Sequence, residues 1–275
     1  MGVGLIGASV ALAMREKGLC NSVIGYGRKE GNLLRAKARG IIDDYRLDAA
    51  AAAEGADIVV LATPVGILGT VASDMRAALK KGSIVTDVGS VKGALVSYLE
   101  SLMPEGVRFI GSHPIAGSDK SGIDDSRGSL FNGARCIVTP TPVSDKDALD
   151  KIASLWEKVG GLVECMDAFR HDEIFALVSH MPHIVAYALV NAVESIDPDS
   201  VEYSGGGFRD TTRIAASSPE LWRDISMLNR TNLIRVLESF KDNLQRIEQC
   251  LHDKDRQGIE MEFSRAQKLR LKIEK

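Results

Sequence analysis

The stretch Gly2-Val3-Gly4-Leu5-Ile6-Gly7, near the start of the 275-residue chain, matches the pattern Gly-x-Gly-x-x-Gly. A helix-like segment, residues 8–17, follows it directly. Where such a loop opens a helix in an α/β fold, its glycines allow a tight turn and let the backbone approach a pyrophosphate at the helix N-terminus. The pattern therefore predicts a dinucleotide-binding loop. Its predicted cofactor contacts are Gly2, Gly4, Leu5, Ile6 and Gly7.

A β-strand is expected immediately before this loop, yet only Met1 precedes Gly2 in the sequence. In the usual sheet order that strand is central, so its absence would leave unpaired backbone groups inside the sheet. We therefore expect a truncated first strand and a natural start upstream of Met1.

Short β-branched stretches alternate with helix-like segments as far as residue 166, which is typical of an α/β fold. Ile58-Val59-Val60-Leu61 is apolar at every position, as expected for a parallel strand buried on both faces. After Met166 no strand is recognisable, and Asp167 is suited to cap a helix. We predict a Rossmann-type doubly wound parallel sheet over residues 1–166 and an all-α domain over residues 167–275. The predicted strands are 22–26, 57–61, 83–87, 108–111, 136–139 and 162–165.

Composition and charge favour a globular protein with a small-molecule partner. Hydrophobic residues make up 45% of the chain and charged residues 26%, and the net charge is -3. This mixture provides no basic surface for nucleic acid or an anionic membrane. Four widely separated cysteines indicate neither a disulfide framework nor a zinc site. Without a recognisable signal peptide or an apolar run of about 18 residues, we expect a cytoplasmic protein.

An apolar seam in the second domain indicates a packing surface. Its residues recur at alternating steps of three and four, so they share one helix face. Two interpretations stay open, packing within the chain and a homodimer interface. The seam consists of Leu237, Phe240, Leu244, Ile247 and Leu251.

The residues after the predicted second strand bear on the choice between NAD and NADP. An NAD-specific protein usually presents an acid to the ribose 2′-hydroxyl here, but Gly27 and Arg28 follow Tyr26. An arginine can bind a 2′-phosphate by a charge-assisted hydrogen bond, which favours NADP or dual use. In the alternative interpretation, Arg28 is a solvated loop residue and Glu30 helps to bind NAD.

Five further motifs together resemble the prephenate/arogenate dehydrogenase family. They are Gly-Ser-Val-Lys (89–92), Gly-Ser-His-Pro-Ile-Ala-Gly (111–117), Ser-His-Met-Pro-His (179–183), Gly-Gly-Gly-Phe-Arg-Asp (205–210) and Thr-Arg-Ile-Ala (212–215). The resemblance implies an NAD(P)-dependent oxidative decarboxylation of prephenate to 4-hydroxyphenylpyruvate and CO2 in tyrosine biosynthesis. Arogenate, giving tyrosine directly, is the alternative substrate.

The resemblance implies that His113 accepts the proton of the substrate hydroxyl. His113 follows a predicted strand and should lie at the carboxyl ends of the sheet, where such folds bind ligands. A histidine titrates near neutrality, which suits a general base. By resemblance, Ser90 hydrogen-bonds His113 beside the nicotinamide, although it is also placed to cap the next helix. Thr63 and Pro64 are further predicted cofactor contacts.

The predicted substrate site combines a cation with histidine and aromatic side chains. Arg213 suits a substrate carboxylate because its guanidinium fork matches two oxygens, and Asp210 is placed to hold it. By resemblance His183 contacts the substrate, while His180 supports it or belongs to the core. Trp222 offers the substrate an apolar wall, and the alternative is that it packs in the core. The remaining predicted contacts are Gly207, in a tight turn over 205–207, and Asp119, where the family often has glutamate.

Other functions fit the residues less well. His180 and His183 lie three apart, as in some metal sites, but no third ligand stands at a recognisable spacing, so no metal is predicted. A β-hydroxyacid dehydrogenase would rely on a lysine in the helical domain, and no such motif is recognisable. A non-catalytic nucleotide-binding protein would have no need for His113, Ser90, His183 and Arg213 together.

Overall fold

The computed structural model describes residues 1–117 and 122–273 of the chain. The chain forms two compact units, Met1–Asn229 and Arg230–Lys275. The first contains the sheet and the helices around it, and the second is a pair of helices.

The sheet of the first unit has the strand order expected of a doubly wound fold. Among the described residues, β1 and β2 form one parallel pair, and β3, β4, β5, β6 and β7 lie side by side in that order. All six predicted strands are present, whereas β2 was not predicted. The strands are β1 (Ile24–Tyr26), β2 (Asp44–Arg46), β3 (Ile58–Leu61), β4 (Ile84–Asp87), β5 (Arg108–Pro114), β6 (Arg135–Thr139) and β7 (Leu162–Cys165).

One pair of strands departs from the expected parallel arrangement. β5 and β6 are antiparallel, with His113 opposite Ile137, while β6 and β7 are again parallel. Parallel neighbours need a crossover connection, usually a helix. Between β5 and β6 the described residues contain one short 3-10 segment, Gly128–Phe131, and no crossover helix.

Met1 and Gly2 lie between the two parts of the sheet. The Met1 amine donates to Val60 O at 2.7 Å, and Ala62 N donates to Met1 O at 2.6 Å. On the other side, Gly2 N donates to Tyr26 O at 2.8 Å. These residues therefore pair with β3 and with β1, at the place where the first strand of the fold is expected.

Helices cover both faces of the sheet, as expected for a doubly wound fold. One apolar core contains Leu61 and Val85 with Leu68 and Leu99 from the helices after β3 and β4. A second core, on the other side, includes Val10, Ile110 and Trp156. The helices of the first unit are α1 (Leu5–Glu16), α2 (Glu30–Ala38), α3 (Ala49–Ala53), α4 (Leu68–Met75), α5 (Gly93–Ser101), α6 (Lys146–Lys158), α7 (Ala168–Phe175), α8 (Met181–Ile196), α9 (Gly206–Thr212) and α10 (Pro219–Leu228).

Helices α7 and α8 are continuous through a π-helical turn. Asp167 caps α7 as predicted, because its carboxylate accepts from the backbone N–H groups of Phe169 and Arg170. The π-helical turn over Ala176–His180 leads into Pro182 in the first turn of α8. Since proline has no backbone N–H, a change of helical register is favoured at this point.

The helix Ala168–Ile196 is, among the described residues, long and apolar enough by composition alone to cross a membrane. Only 17% of its most apolar 18-residue stretch is buried in this structure. Core and interface helices of soluble proteins share this composition. In this fold the same helix also buries His171, which contacts His113 of β5, and Asp172, which accepts from Lys92 N in the loop after β4.

The second unit consists of α11 (Arg230–His252) and α12 (Arg256–Ile273). The two helices are joined by polar contacts: Arg265 Nη2 donates to Asn243 Oδ1 at 3.0 Å, and Arg246 lies 3.6 Å from the Glu262 carboxylate. Along the predicted apolar seam of α11, Leu244 is 51% exposed and Leu251 63% exposed. The contacts described for this unit therefore cover the seam only in part.

Candidate active site

The glycine loop has the geometry of a phosphate-binding turn. Gly2 has a φ of 91°, and a Cβ there would lie 2.6 Å from Ala62 O. A Cβ on Gly7 would lie 2.0 Å from Gly2 O, whereas Gly4 has no atom within 4 Å of that position. Gly4 is the N-cap of α1 and offers no side chain, so the backbone N–H groups at this helix start face an open approach. These groups fit an anionic cofactor.

Thr63 and Pro64 follow β3 next to this loop. Thr63 Oγ1 is buried without a hydrogen-bond partner in the part of the chain that is described. Buried hydroxyl groups normally have partners, so this atom is suited to a bound ligand. The roles of Thr63 and Pro64 as cofactor contacts stay predictions, and the unpartnered Thr63 hydroxyl supports a ligand at this sheet edge.

Three charged residues, Arg28, Lys29 and Glu30, follow β1 at the expected adenosine end of the site. Arg28 is exposed directly after the strand. Glu30, the first residue of α2, accepts a hydrogen bond from the Tyr45 hydroxyl at 2.9 Å. Glu30 is the acid that would bind the ribose of NAD, and it already accepts a hydrogen bond from Tyr45. Arg28, in contrast, is exposed to solvent.

His113 lies half-buried near the end of β5 and bonds to another histidine. Its Nδ1 is 2.8 Å from His171 Nε2, and His171 Nδ1 is 2.9 Å from Asp172 Oδ1. Sequence reasoning missed His171 and Asp172. A histidine next to an aspartate is a candidate functional pair, but no local pattern indicates that α7 packs against a strand end 58 positions earlier in the sequence.

Asp172 also holds the loop that carries Ser90. Its Oδ1 accepts a hydrogen bond from Lys92 N at 2.8 Å, and a Cβ on Gly93 would lie 2.6 Å from its Oδ2. Ser90 lies half-buried in this loop after β4. It is not the helix cap, because α5 begins at Gly93 with Lys92 as its N-cap. The predicted hydrogen bond from Ser90 to His113 stays a prediction, since His171 is the partner described for His113.

A buried ion pair lies beneath this loop. The Lys92 ammonium group bonds to Asp87 Oδ2, and both side chains are fully buried. Asp87 also accepts from Gly89 N at 2.9 Å and from Ser112 N at 3.1 Å. The pair therefore ties together the ends of β4 and β5, beside His113. Sequence reasoning did not identify it.

The surroundings of His113 keep its imidazole neutral. Burial, together with the nearby His171, Lys92 and His180, holds its pKa well below the usual value of 6.5. A neutral imidazole can accept a proton, so the site favours a base at this position.

The two histidines of the 179–183 motif have different environments. His180 is fully buried, its Nδ1 lies 3.1 Å from Asn229 Nδ2, and burial lowers its pKa to about 4. His183 is half-buried and stacks on Trp222, with ring centroids 3.5 Å apart. Its Nδ1 donates to Ser179 O at 2.9 Å, so Nε2 is left as an acceptor. His183 and Trp222 thus form one aromatic surface.

Arg213 lies near this surface, and its charge helps to lower the pKa of His183, after the larger effect of burial. It begins a 3-10 segment directly after α9, which carries Asp210. The tight turn expected at residues 205–207 is wrong: Gly205 caps α9, and Gly206 and Gly207 are its first residues. The first N–H groups of a helix have no partner within the helix, so the start of α9 can offer backbone donors to a ligand. Asp119, the remaining predicted contact, lies outside the described residues.

The arrangement suits redox chemistry on a small organic acid. A neutral histidine, a glycine loop and the Thr63 hydroxyl lie at the carboxyl end of the sheet, where α/β folds bind ligands. The aromatic pair His183–Trp222 has a guanidinium near it. Together these groups provide a base, a cofactor cradle and a cation.

Two family models match consecutive parts of the chain. The model for the prephenate dehydrogenase nucleotide-binding domain matches residues 10–165. The model for the prephenate dehydrogenase dimerization domain matches residues 167–265. The contact between His113 and His171 therefore joins the regions matched by the two models.

Individual proteins are similar over nearly the whole chain. A cyclohexadienyl dehydrogenase of Zymomonas mobilis is 36% identical over 99% of this chain and 94% of its own length. The prephenate dehydrogenase of Bacillus subtilis is 32% identical over 98% of this chain and 74% of its own. The structure of Aquifex aeolicus prephenate dehydrogenase in complex with hydroxyphenyl propionate and NAD+ has a TM-score of 0.92 at 36% identity, covering 99% of this chain and 96% of that one. Synechocystis arogenate dehydrogenase has a TM-score of 0.82 at 29% identity, covering 99% and 98%.

The glycine loop generates a test of cofactor binding. We expect Gly7→Ala to weaken NAD(P) binding by at least about tenfold, because the added Cβ collides with Gly2 O and opens the turn. The dissociation constant can be measured by calorimetry. Gly31→Ala is the matched control, since its Cβ meets no atom within 4 Å. Equal binding by both variants would contradict the assignment of this loop.

Proposed function

The chain belongs to the prephenate dehydrogenase family, and we therefore propose that it converts prephenate to 4-hydroxyphenylpyruvate and CO2 with NAD(P) in tyrosine biosynthesis. The family, the dehydrogenase class and the nicotinamide cofactor expected from the sequence are confirmed. The observation that carries the proposal is the position of His113, a neutral imidazole at the carboxyl end of β5.

The proposed reaction assigns the proton transfer to His113. Bound NAD(P) supplies the hydride acceptor, and loss of the ring carboxylate as CO2 makes the product aromatic. The imidazole takes the proton of the ring hydroxyl as the carbon that bears it loses hydride. The buried Lys92–Asp87 pair and the Ser90 loop hold the strand ends, so the base keeps a fixed position relative to the ring.

Arg213 and His183 are proposed to bind the substrate acid. A guanidinium keeps its charge at any physiological pH and matches a carboxylate with two hydrogen bonds. His183 offers Nε2 as a polar contact, while Trp222 beneath it provides an apolar wall for the ring. Asp210, Gly207 and Asp119 are proposed to complete this part of the site.

Arogenate is the second candidate substrate. It carries an amino group where prephenate carries a keto group on the side chain. Two similar proteins favour this candidate, one named a cyclohexadienyl dehydrogenase and one an arogenate dehydrogenase. The exposed Arg28, together with the engagement of Glu30 by Tyr45, supports NADP or dual cofactor use.

The proposed working form is a cytoplasmic homodimer. We place the nucleotide-binding domain at residues 1–166 and the helical domain at residues 167–275, and the second domain matches a dimerization domain over residues 167–265. Apolar side chains are exposed on both helices of the second unit, including Leu251 and, on α12, Phe263 and Leu269. An exposed apolar surface of this kind favours burial against a second copy.

The function is tested by steady-state turnover of the purified chain with prephenate and arogenate, each with NAD and with NADP. We expect His113→Ala to lower kcat by roughly 10²–10⁴-fold, the range for loss of a general base. His252→Ala, which removes an exposed histidine, should leave turnover unchanged. Because burial lowers the pKa of His113, its basic form persists in acid, so kcat/KM should fall only below pH 6.5. Full turnover by His113→Ala would remove the proposed base.

Arg213 is tested by separating binding from turnover. We expect Arg213→Ala to raise KM for the substrate by about 10–100-fold, because a charge-assisted pair is lost. Arg213→Lys keeps the charge without the fork and should have an intermediate effect. Arg223→Ala, which removes an exposed arginine that pairs with Asp224, is the control. An unchanged KM in Arg213→Ala would place the carboxylate elsewhere.

The dimer is tested by analytical ultracentrifugation. We expect a species of twice the chain mass of 29.6 kDa. The double variant Leu244→Glu and Leu251→Glu should shift it toward the monomer, because charges replace exposed apolar groups of the seam. A monomeric wild-type chain at micromolar concentration would contradict the proposal.

A further inference from the structure

His171 lies between an acid and the proposed base. Its Nδ1 is 2.9 Å from Asp172 Oδ1, and its Nε2 is 2.8 Å from His113 Nδ1. Both ring nitrogens of His171 are therefore engaged, and one nitrogen of His113 is engaged as well. The three side chains form a linear chain of hydrogen bonds.

The acid determines the direction of these hydrogen bonds. An ionised carboxylate only accepts, and the same Asp172 Oδ1 already accepts from Lys92 N at 2.8 Å. His171 must therefore carry its proton on Nδ1, which leaves a lone pair on Nε2. That lone pair can bond to His113 only if His113 carries its own proton on Nδ1. The Nε2 of His113 then has a lone pair.

The surroundings of the two rings favour this neutral arrangement. Burial lowers the pKa of His171, although the hydrogen bond with Asp172 opposes the shift, and burial also lowers the pKa of His113. Among the described residues, the charged groups that act on the pair are Asp172 on α7, Asp87 at the end of β4 and Lys92 at the N-cap of α5, and His180 in the π-helical turn also lies near. Phe175 stacks on His171 at 4.3 Å and lies 4.9 Å from the His113 ring. It therefore limits rotation of both imidazoles.

We propose that Asp172 and His171 are positioning residues that hold His113 as the Nδ1–H tautomer and leave Nε2 as the atom that accepts the substrate proton. Neither residue has to touch the substrate. The inference rests on the proposed function only for the identity of that proton, since the tautomer is a property of the free protein. If His113 carried its proton on Nε2, its lone pair would be on Nδ1, the atom that lies against His171, and Nε2 could not accept a proton.

The tautomer is tested by nitrogen NMR of the ¹⁵N-histidine-labelled chain at neutral pH. The chain has five histidines, so single His→Gln variants can assign each ring. We expect both His113 and His171 to carry the proton on Nδ1 and to show an unprotonated Nε2. In His171→Leu, we expect His113 to lose this preference and to populate the Nε2–H form. A wild-type His113 protonated on Nε2, or a doubly protonated His171, would overturn the proposal.

The kinetic test compares two substitutions of His171. We expect His171→Leu, which removes the acceptor, to lower kcat by at least about tenfold while KM and the NAD(P) dissociation constant stay unchanged. His171→Gln keeps an acceptor near the position of Nε2 and should recover most of kcat. Equal kcat in His171→Leu and the wild type would overturn the proposal. If the wild type turns over neither substrate, the proposed function fails, and the NMR result still decides the tautomer.

Discussion

The hydrogen bonds of Asp172 join the helical region to the sheet, and the geometry of the site depends on them. One buried carboxylate oxygen accepts from the backbone of the loop after β4 and from His171, which in turn contacts His113 at the end of β5. The glycine at position 93 leaves the space that the carboxylate needs. A group on α7 thus contacts the loop after β4 and, through His171, the end of β5, the two segments that carry the proposed residues Ser90 and His113.

The buried Lys92–Asp87 ion pair stabilises the same two segments, the loop after β4 and the end of β5. Removing two charges from water costs on the order of several kcal/mol per ion, so such a pair persists only with good geometry and further hydrogen bonds. Asp87 has these from Gly89 N and Ser112 N. Because Gly89 precedes Ser90 and Ser112 precedes His113, the ion pair holds the backbone of both proposed functional residues. Its positive end also contributes to the low pKa of His113.

The structure departs from the predicted fold where the local sequence carries little signal for secondary structure or strand pairing. The strand Asp44–Arg46 is short and polar, and its extended form depends on pairing with β1 at the sheet edge. The run Gly205–Gly207 looks like a turn in isolation, because glycine is flexible. In the structure Gly205 is the N-cap of α9, and Gly206 and Gly207 are its first two residues. The antiparallel pairing of β5 with β6 depends on the path of the connection, which no local pattern encodes.

The sequence by itself determined the α/β class, the strands with apolar runs, the start of α7 at Asp167 and the residues of the glycine and histidine motifs. These features follow from hydrophobic periodicity, capping and short spacing, which are local properties of a chain. Only the tertiary structure decided that His171 and Asp172 reach His113, that Lys92 pairs with Asp87 inside the core, and that Trp222 stacks on His183. The pairing of His113 with His171, like that of Trp222 with His183, joins residues distant in sequence. Such contacts depend on how helices pack on a sheet, and a single sequence carries no direct signal for that packing.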